Sequence, residues 1–250
     1  MFLIAEGVWA LSGEMLIVDK LVFQIISGKY NAHDKLPSEN VIADQYKVPR
    51  ITARKAYERL EELGYIYKKQ GKGSYVKDRH KQIELVLSGD VSFSQKMIEK
   101  GYDFQSNNIF CKEIKYNKKI YDFLAADHDD RIYKVGRLRF IDQQPIAIHI
   151  SYVAKSVFND IDTVGMNITS MFKYYNSKGY NEFCSKPSIL SVSFPTKSQR
   201  ELLGCTYLIP LLILESGCID KRSCRVLEYT RILYRSDCFS FSMPTQHQMP

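Results

Sequence analysis

The chain has 250 residues, 45% of them hydrophobic, 12% aromatic and 25% charged, the makeup of a globular protein of one large domain or two small ones. Eight Pro and 13 Gly are too few for a collagen-like or low-complexity chain, and no uncharged apolar run approaches the roughly 18 residues of a membrane-spanning helix. The net charge of +7 is unevenly placed: residues 46–82 carry eleven Lys and Arg against four acids, while residues 1–45 are net −3. A local basic excess is the electrostatic footprint of a polyanion partner, although a solvated Lys-rich surface would look the same by charge alone.

Residues 1–11 are apolar but hold Glu6 and no basic residue, so a secretory leader is not expected. Met15 is a second candidate for the start of translation. From Glu14, the residues Leu16, Ile17, Leu21, Phe23, Ile25 and Ile26 predict a buried helix, with Ser12 as a possible cap and Gly28 at its end. Leu36-Pro37-Ser38-Glu39 reads as a second helix start, Ser38 accepting a bond from the first turn. That helix spans about 39–46, with Val41, Ile42 and Tyr46 inward. After the turn Lys47-Val48-Pro49, a third helix from Arg50 to Leu63 buries Ala53, Ala56, Tyr57, Leu60 and Leu63 at helical spacing. Arg50, Thr52, Arg54 and Lys55 are left outside at its start.

Two helices joined by a three-residue turn, the second opening with Arg and Thr, have the form of a helix-turn-helix. There the first turns of the second helix enter the major groove, where Arg pairs with guanine O6 and N7 and Thr meets a base edge or a methyl. Residues 65–69 and 74–77 predict a hairpin around Gln70-Gly71-Lys72-Gly73, a wing with a basic tip. Gly71 lets backbone approach a phosphate, and Lys72 adds charge. Gly71-Lys72-Gly73-Ser74 fails the phosphate-loop pattern, because Gly follows Lys72.

These residues, together with Leu60-Glu61-Glu62-Leu63-Gly64-Tyr65-Ile66 and Gly71-Lys72-Gly73-Ser74-Tyr75-Val76, resemble the winged helix-turn-helix of GntR-type bacterial transcription regulators over about residues 14–78. The resemblance implies base reading by Arg50 and Arg54, minor-groove approach by Gly71, and a phosphate or base contact by Thr52; Ser38, Lys55 and Lys72 are further candidate DNA contacts. Pro49 stands where a Ser usually caps the recognition helix.

A short linker is expected at 79–83. Beyond it, 109–116, 131–142, 145–153, 188–194, 208–215 and 225–235 are β-rich, and 118–126, 169–178 and 197–204 read as helices. Residues 140–146 suggest a hairpin turning at Asp142 to Gln144. The fold class is α+β, on a mostly antiparallel sheet. Alternation puts Arg137 and Arg139 on one face, opposite Leu138 and Phe140; His149 pairs with Ser151 on the next strand, and Glu228 with Tyr234 on a later one. Paired guanidinium groups on a sheet suit a phosphate or carboxylate, yet alternating polar residues on a half-exposed sheet need no ligand.

Ser92-Phe93-Ser94, Gly136-Arg137-Leu138-Arg139, Pro145 to Tyr152 and Glu228 to Arg235 resemble the UTRA effector domain of the HutC-like GntR subgroup, over about residues 84–243. The resemblance implies a chorismate-lyase-like fold, a dimer, and a pocket for a small anion such as a phosphosugar. In it Arg137, Arg139 and Ser170 would hold the anionic group, and Ser92, Glu228 and Tyr234 would line the walls, with His149 and Ser151 beside them. His149 stands where an acid is common, and Phe172 where a Tyr is.

The six Cys show no paired spacing; Cys218 and Cys224, six apart, could pair in an oxidising place, but small buried thiols fit better. No metal-ligand set, nucleophile elbow or spaced acid pair is present, so no cofactor is expected. The reading is a cytoplasmic, dimeric, ligand-responsive transcription factor, in most such proteins a repressor, on palindromic duplex DNA. The rival is a metabolite-binding module or lyase-like enzyme with an incidental basic lobe, and the salt dependence of DNA binding separates the two.

Overall fold

The computed structural model describes residues 13–78, 83–86 and 93–242. The chain divides into two compact units, Met1–Gln82 and Ile83–Pro250. Of the expected linker, 79–82 lie outside the described residues and Ile83 already opens a strand; Ser12 and Ser92 also lie outside them.

In the first unit, helices α1 (Gly13–Ile26), α2 (Glu39–Tyr46) and α3 (Arg50–Glu62) precede a hairpin of β1 (Ile66–Lys69) and β2 (Gly73–Val76). Ser38 caps α2, its Oγ accepting from the Val41 amide at 3.3 Å. Lys47 closes the helix in the left-handed region (φ 52°), which reverses the chain toward α3. The apolar stripe of α3 (Ala53, Ala56, Tyr57, Leu60) seals the core against Ile17, Val18, Leu21, Ile42 and Ile66. Tyr57 pins α3 to the start of α2, its hydroxyl donating to the Pro37 carbonyl at 2.6 Å.

Two apolar segments sit differently from expectation. In α1, Leu16, Phe23 and Ile26 are exposed and Val18 is buried instead. The helix is apolar nearly all round, and the small core covers one stripe of it. In α2, Ala43 rather than Val41 faces inward beside Ile42.

The second unit holds β3 (Ile83–Val86), α4 (Phe93–Glu99), β4 (Phe104–Glu113), α5 (Lys118–Leu124), β5 (Ile132–Ile141), β6 (Gln144–Ala154), α6 (Ile161–Val164), a 3-10 turn at Gly165–Asn167, α7 (Met171–Ser177), β7 (Phe183–Ser185), β8 (Ile189–Ser193), α8 (Lys197–Leu203), β9 (Leu211–Asp220), β10 (Val226–Arg235) and β11 (Phe239–Ser242). Seven strands form one antiparallel sheet in the order β4-β5-β6-β10-β9-β7, with β8 also on β9. The first strand β3 pairs in parallel with the last, β11. Asp142 and Gln143 both take positive φ (49° and 62°), the two-residue turn that sets the β5–β6 register.

One sheet face packs Leu138, Ile148, Leu211 and Leu233 against Leu203 of α8, and Tyr229 against Ile120 and Leu124 of α5. The other packs Phe158, Met171 and Tyr175 at one end and Met97, Tyr234 and Phe239 at the other. The polar residues of the candidate site lie between those two clusters. All six Cys are free, and Cys224 is exposed rather than buried.

Candidate functional site

The first candidate surface is the start of α3 with the wing. Pro49 precedes α3 and no side chain caps it; the Thr52 amide donates instead to the Pro49 carbonyl at 2.9 Å. Arg50 and Arg54 are both solvent-facing. Arg50 lies 3.8 Å from Glu39, and Arg54 donates to Glu58 at 2.9 Å, one turn on. Exposed pairs of this kind are worth ~0.2–1 kcal/mol, so either guanidinium can exchange its carboxylate for a base edge or phosphate. Thr52 is half-buried between them and Lys55 is exposed. Gly71 sits at the wing tip with φ 69° and open space where a Cβ would be, next to exposed Lys72. Ser38 is committed to capping α2, although it lines the same cleft as Arg50, Gly71 and Lys72. That cleft has a volume of about 390 Å³.

The second candidate site is inside the sheet domain. Arg137 on β5 stands directly opposite His149 on β6, and Arg139 opposite Ala147, which in turn faces Tyr234 on β10. The alternation of three strands thus collects Arg137, Arg139, His149, Ser151 and Tyr234 on one face. All are buried, as are Glu228 and Ser170. Arg137 donates to the Ser151 hydroxyl. Arg139 donates to Ser106 Oγ at 2.5 Å and to the Thr169 carbonyl at 2.8 Å. Ser170, the next residue, caps α7. The Nε atoms of both arginines and Nε2 of His149 are buried with no hydrogen-bond partner.

The electrostatics of this cluster are lopsided. Burial, then Arg139 and Arg137, hold the His149 pKa well below the usual imidazole range, so His149 is neutral. Burial lowers both arginine pKa values; Arg137 adds to the effect on Arg139, and Glu228 opposes it at both. A guanidinium keeps its proton in proteins, so the strain becomes demand for a counter-anion. Two cations stand against one carboxylate. Phe93 of α4 covers the cluster, its ring 4.8 Å from His149 and 5.9 Å from Tyr234.

The structure adds three residues that sequence reasoning passed over. Ser106 and Asn108 project from β4 onto the same face, across from Arg139 and Arg137. Asn108 donates to the Gly165 carbonyl at 3.0 Å and leaves Oδ1 buried without a partner. Tyr175 of α7 lies against Glu228, where burial and that charge push its hydroxyl pKa up. The strand signal for β4 begins only at Ile109, because the polar run Gln105-Ser106-Asn107-Asn108 has low β-propensity.

Residues 16–76 match the gntR family of bacterial regulatory proteins, and residues 99–240, more than half of the chain, match the UTRA domain. The chain belongs to the GntR family, in its UTRA-domain form. It is similar to the mannosyl-D-glycerate transport/metabolism system repressor MngR of Escherichia coli K12, with 24% identity covering 93% of this chain and 95% of that one. It is also similar to the HTH-type transcriptional repressor NagR of Bacillus subtilis, with 25% identity covering 90% and 91%. Among solved structures, PhnF from Mycobacterium smegmatis shares the fold with a TM-score of 0.60 at 18% identity, covering 93% of this chain and all of that one. The protein is therefore a DNA-binding transcription regulator with a helix-turn-helix unit ahead of an antiparallel sheet domain. Among the described residues no helix is long and apolar enough to cross a membrane, and no cluster of His, Cys, Asp and Glu could hold a metal ion.

Proposed function

We propose that this protein is a ligand-responsive repressor that binds a palindromic operator as a cytoplasmic homodimer and is switched by a small anionic metabolite, such as a phosphosugar. In this reading residues 14–78 bind DNA and residues 84–243 sense the effector and pair the protomers. Arg50 and Arg54 read bases, Thr52, Lys55 and Lys72 hold phosphates, and Gly71 brings the wing backbone close to the groove.

The observation that carries the sensing half is the uncompensated charge inside the sheet domain. Arg137 and Arg139 are buried with Glu228 as the carboxylate acting on them, and their Nε atoms have no partner. An unpaired buried cation is costly, and an anion taking both Nε–H groups removes that cost. The neutral groups around it (His149, Asn108, Tyr175, Ser151) can bond the hydroxyls of a sugar-like body. The repressor names of two relatives support the sense of regulation.

Thermal-shift screening of phosphorylated sugars and small organic acids, followed by a mobility-shift assay with each hit, tests the reading. A true effector stabilises the protein and changes its affinity for the operator by a factor that operator DNA must return on effector binding. Arg54→Ala is expected to cost on the order of 1–3 kcal/mol and relax base preference, while Lys72→Ala weakens binding evenly across sequences. Arg137→Ala should end the effector response and leave operator affinity near wild type. Retention of a full response in that variant refutes the pocket.

A further inference from the structure

The cleft beside α3 contains a cation that no sequence motif picks out. Residues 33–36 run alongside β2 as a short third strand: the His33 amide donates to the Val76 carbonyl at 2.9 Å, the Val76 amide to Asp34 at 2.9 Å, and the Leu36 amide to Ser74 at 3.0 Å. Lys35 bridges to Tyr75 within this ladder. The ladder fixes the Lys35 backbone to the wing rather than to the helices.

Its side chain then crosses Gly73. A Cβ built on Gly73 would lie 3.1 Å from Lys35 Cε and 3.8 Å from Nζ, and Gly73 has φ 110°, a conformation other residues avoid. Absence of a side chain at 73 therefore opens the track along which the lysine stem lies. The stem leads into the cleft, whose other walls are Ser38, Glu39 and Asn40 of the α2 start, Arg50 of α3, and Gly71 and Lys72 of the tip. Tyr57, locked to Pro37, lies among these walls.

The charges lining the cleft do not cancel. Lys35, Arg50 and Lys72 face Glu39, whose carboxylate lies 3.8 Å from Arg50. Among the described residues neither Lys35 nor Lys72 has an ion-pair partner. Three cations from three separate segments converge on one opening, and the excess suits a single phosphate.

We propose that this cleft seats one backbone phosphate of duplex DNA, and that Lys35 grips it from the wing side while Arg50 and Lys72 close on it from the helix and the tip. The assignment rests on the DNA-binding reading and deepens it. It adds a phosphate contact from outside the recognition helix, and it gives Gly73 a role distinct from that of Gly71: room for a lysine stem rather than close backbone approach. A free phosphate ion would satisfy the same chemistry. The backbone is favoured because the cleft opens between the two elements, α3 and the wing, that the reading places on duplex DNA.

The test uses the full chain and an operator selected from random duplexes, with affinity measured across a salt series. Lys35→Met keeps the apolar stem over Gly73 and removes the charge; Lys35→Arg keeps the charge. Lys35→Met is expected to weaken binding about three- to tenfold, evenly across sequences, and to make the log–log salt slope shallower by about 0.9 per protomer, about 1.8 for a dimer on its operator. Lys35→Arg restores slope and affinity, and Lys29→Met, which removes a charge at the end of α1, leaves the slope unchanged. Melting curves of the Lys35 variants should overlay the wild type, which separates a lost contact from a damaged wing. If wild type binds and Lys35→Met matches it in affinity and slope, the inference falls while the DNA-binding reading stands. If wild type binds no duplex at low salt, the reading itself falls. If inorganic phosphate stabilises wild type but not Lys35→Met, and the salt slopes agree, the cleft serves a free anion and the DNA assignment is overturned.

Discussion

The neutral imidazole of His149 makes the stability of the sheet domain depend on pH in a calculable way. His149 is 4% exposed, its Nε2 has no partner, and Arg137 stands opposite it across the β5–β6 pair. Burial, Arg139 and Arg137 all disfavour the protonated form. In the folded state the group stays unprotonated, whereas in the unfolded chain it takes a proton below about pH 6.5. The folded pKa is the lower one, so the contribution to stability is present above the unfolded value and is lost as pH falls below it. From about pH 7.5 to about pH 5 the loss from this one group is about 2 kcal/mol, approaching a slope of about 1.4 kcal/mol per pH unit. For a domain of this size that lowers the melting temperature by about 4–8 °C. Urea unfolding followed across that range in wild type and His149→Gln isolates the effect, because the other titrating groups are common to both. The two proteins should diverge by about one proton in the slope below about pH 6.5, with His149→Gln the less sensitive. Parallel profiles would mean that His149 is protonated or solvated in the folded state, and would undo the charge balance on which the anion pocket is argued.

Two further outcomes follow from the same packing. Arg139→Met removes a buried cation that repels Arg137, at the loss of its bonds to Ser106 and Thr169; by the behaviour of other buried charges replaced with apolar groups, the ligand-free protein should gain about 1–3 kcal/mol and melt a few degrees higher, while anions no longer stabilise it. A lowered melting temperature with an intact anion response would contradict this. Gly217→Ala places a methyl 2.4 Å from the Phe123 ring and 3.1 Å from the Glu228 carbonyl; the ring is itself held against Tyr229 and Lys186, so a loss of about 1–3 kcal/mol is expected in urea unfolding. An unchanged midpoint would show that Phe123 yields freely.

The helix-turn-helix was legible because each of its features is local. Ser38 before a polar helix start, the Ala53-Ala56-Tyr57-Leu60 stripe, and Gly71 and Gly73 between two short strands each state a backbone requirement within a few residues. The sheet domain was legible where strands alternate cleanly, as in β5, β6 and β10. It was illegible where pairing is remote or the pattern is weak. The parallel pair β3–β11 joins segments more than 150 residues apart, and nothing in either segment announces the other. Helices α4 and α6 are only seven and four residues long, too short for a periodic signal. Lys35 is illegible in the sequence for a related reason: its place beside Gly73 depends on a strand ladder that a single bridge defines.

The buried polar cluster raises a different problem, since alternation predicts which residues share a face but not whether that face meets water. Arg137 and Arg139 on a half-exposed sheet would be ordinary solvated charges. In the structure they are enclosed because α4, at one end, and the Thr169–Ser177 segment, at the other, fold over the same face. The apolar residues that hold these covers down (Met97 on α4; Met171 and Tyr175 on α7) surround the charges without neutralising them. Two cations are thereby kept at low dielectric beside a histidine that cannot share the charge and one carboxylate that offsets only half of it. A sheet selected for stability alone would place aliphatic residues there, as its opposite face does with Leu138, Ile148 and Leu233. In the proposed function an incoming anion removes this cost, and the energy recovered on binding is then available to favour one arrangement of the domain over another, which is what a sensor requires of its ligand.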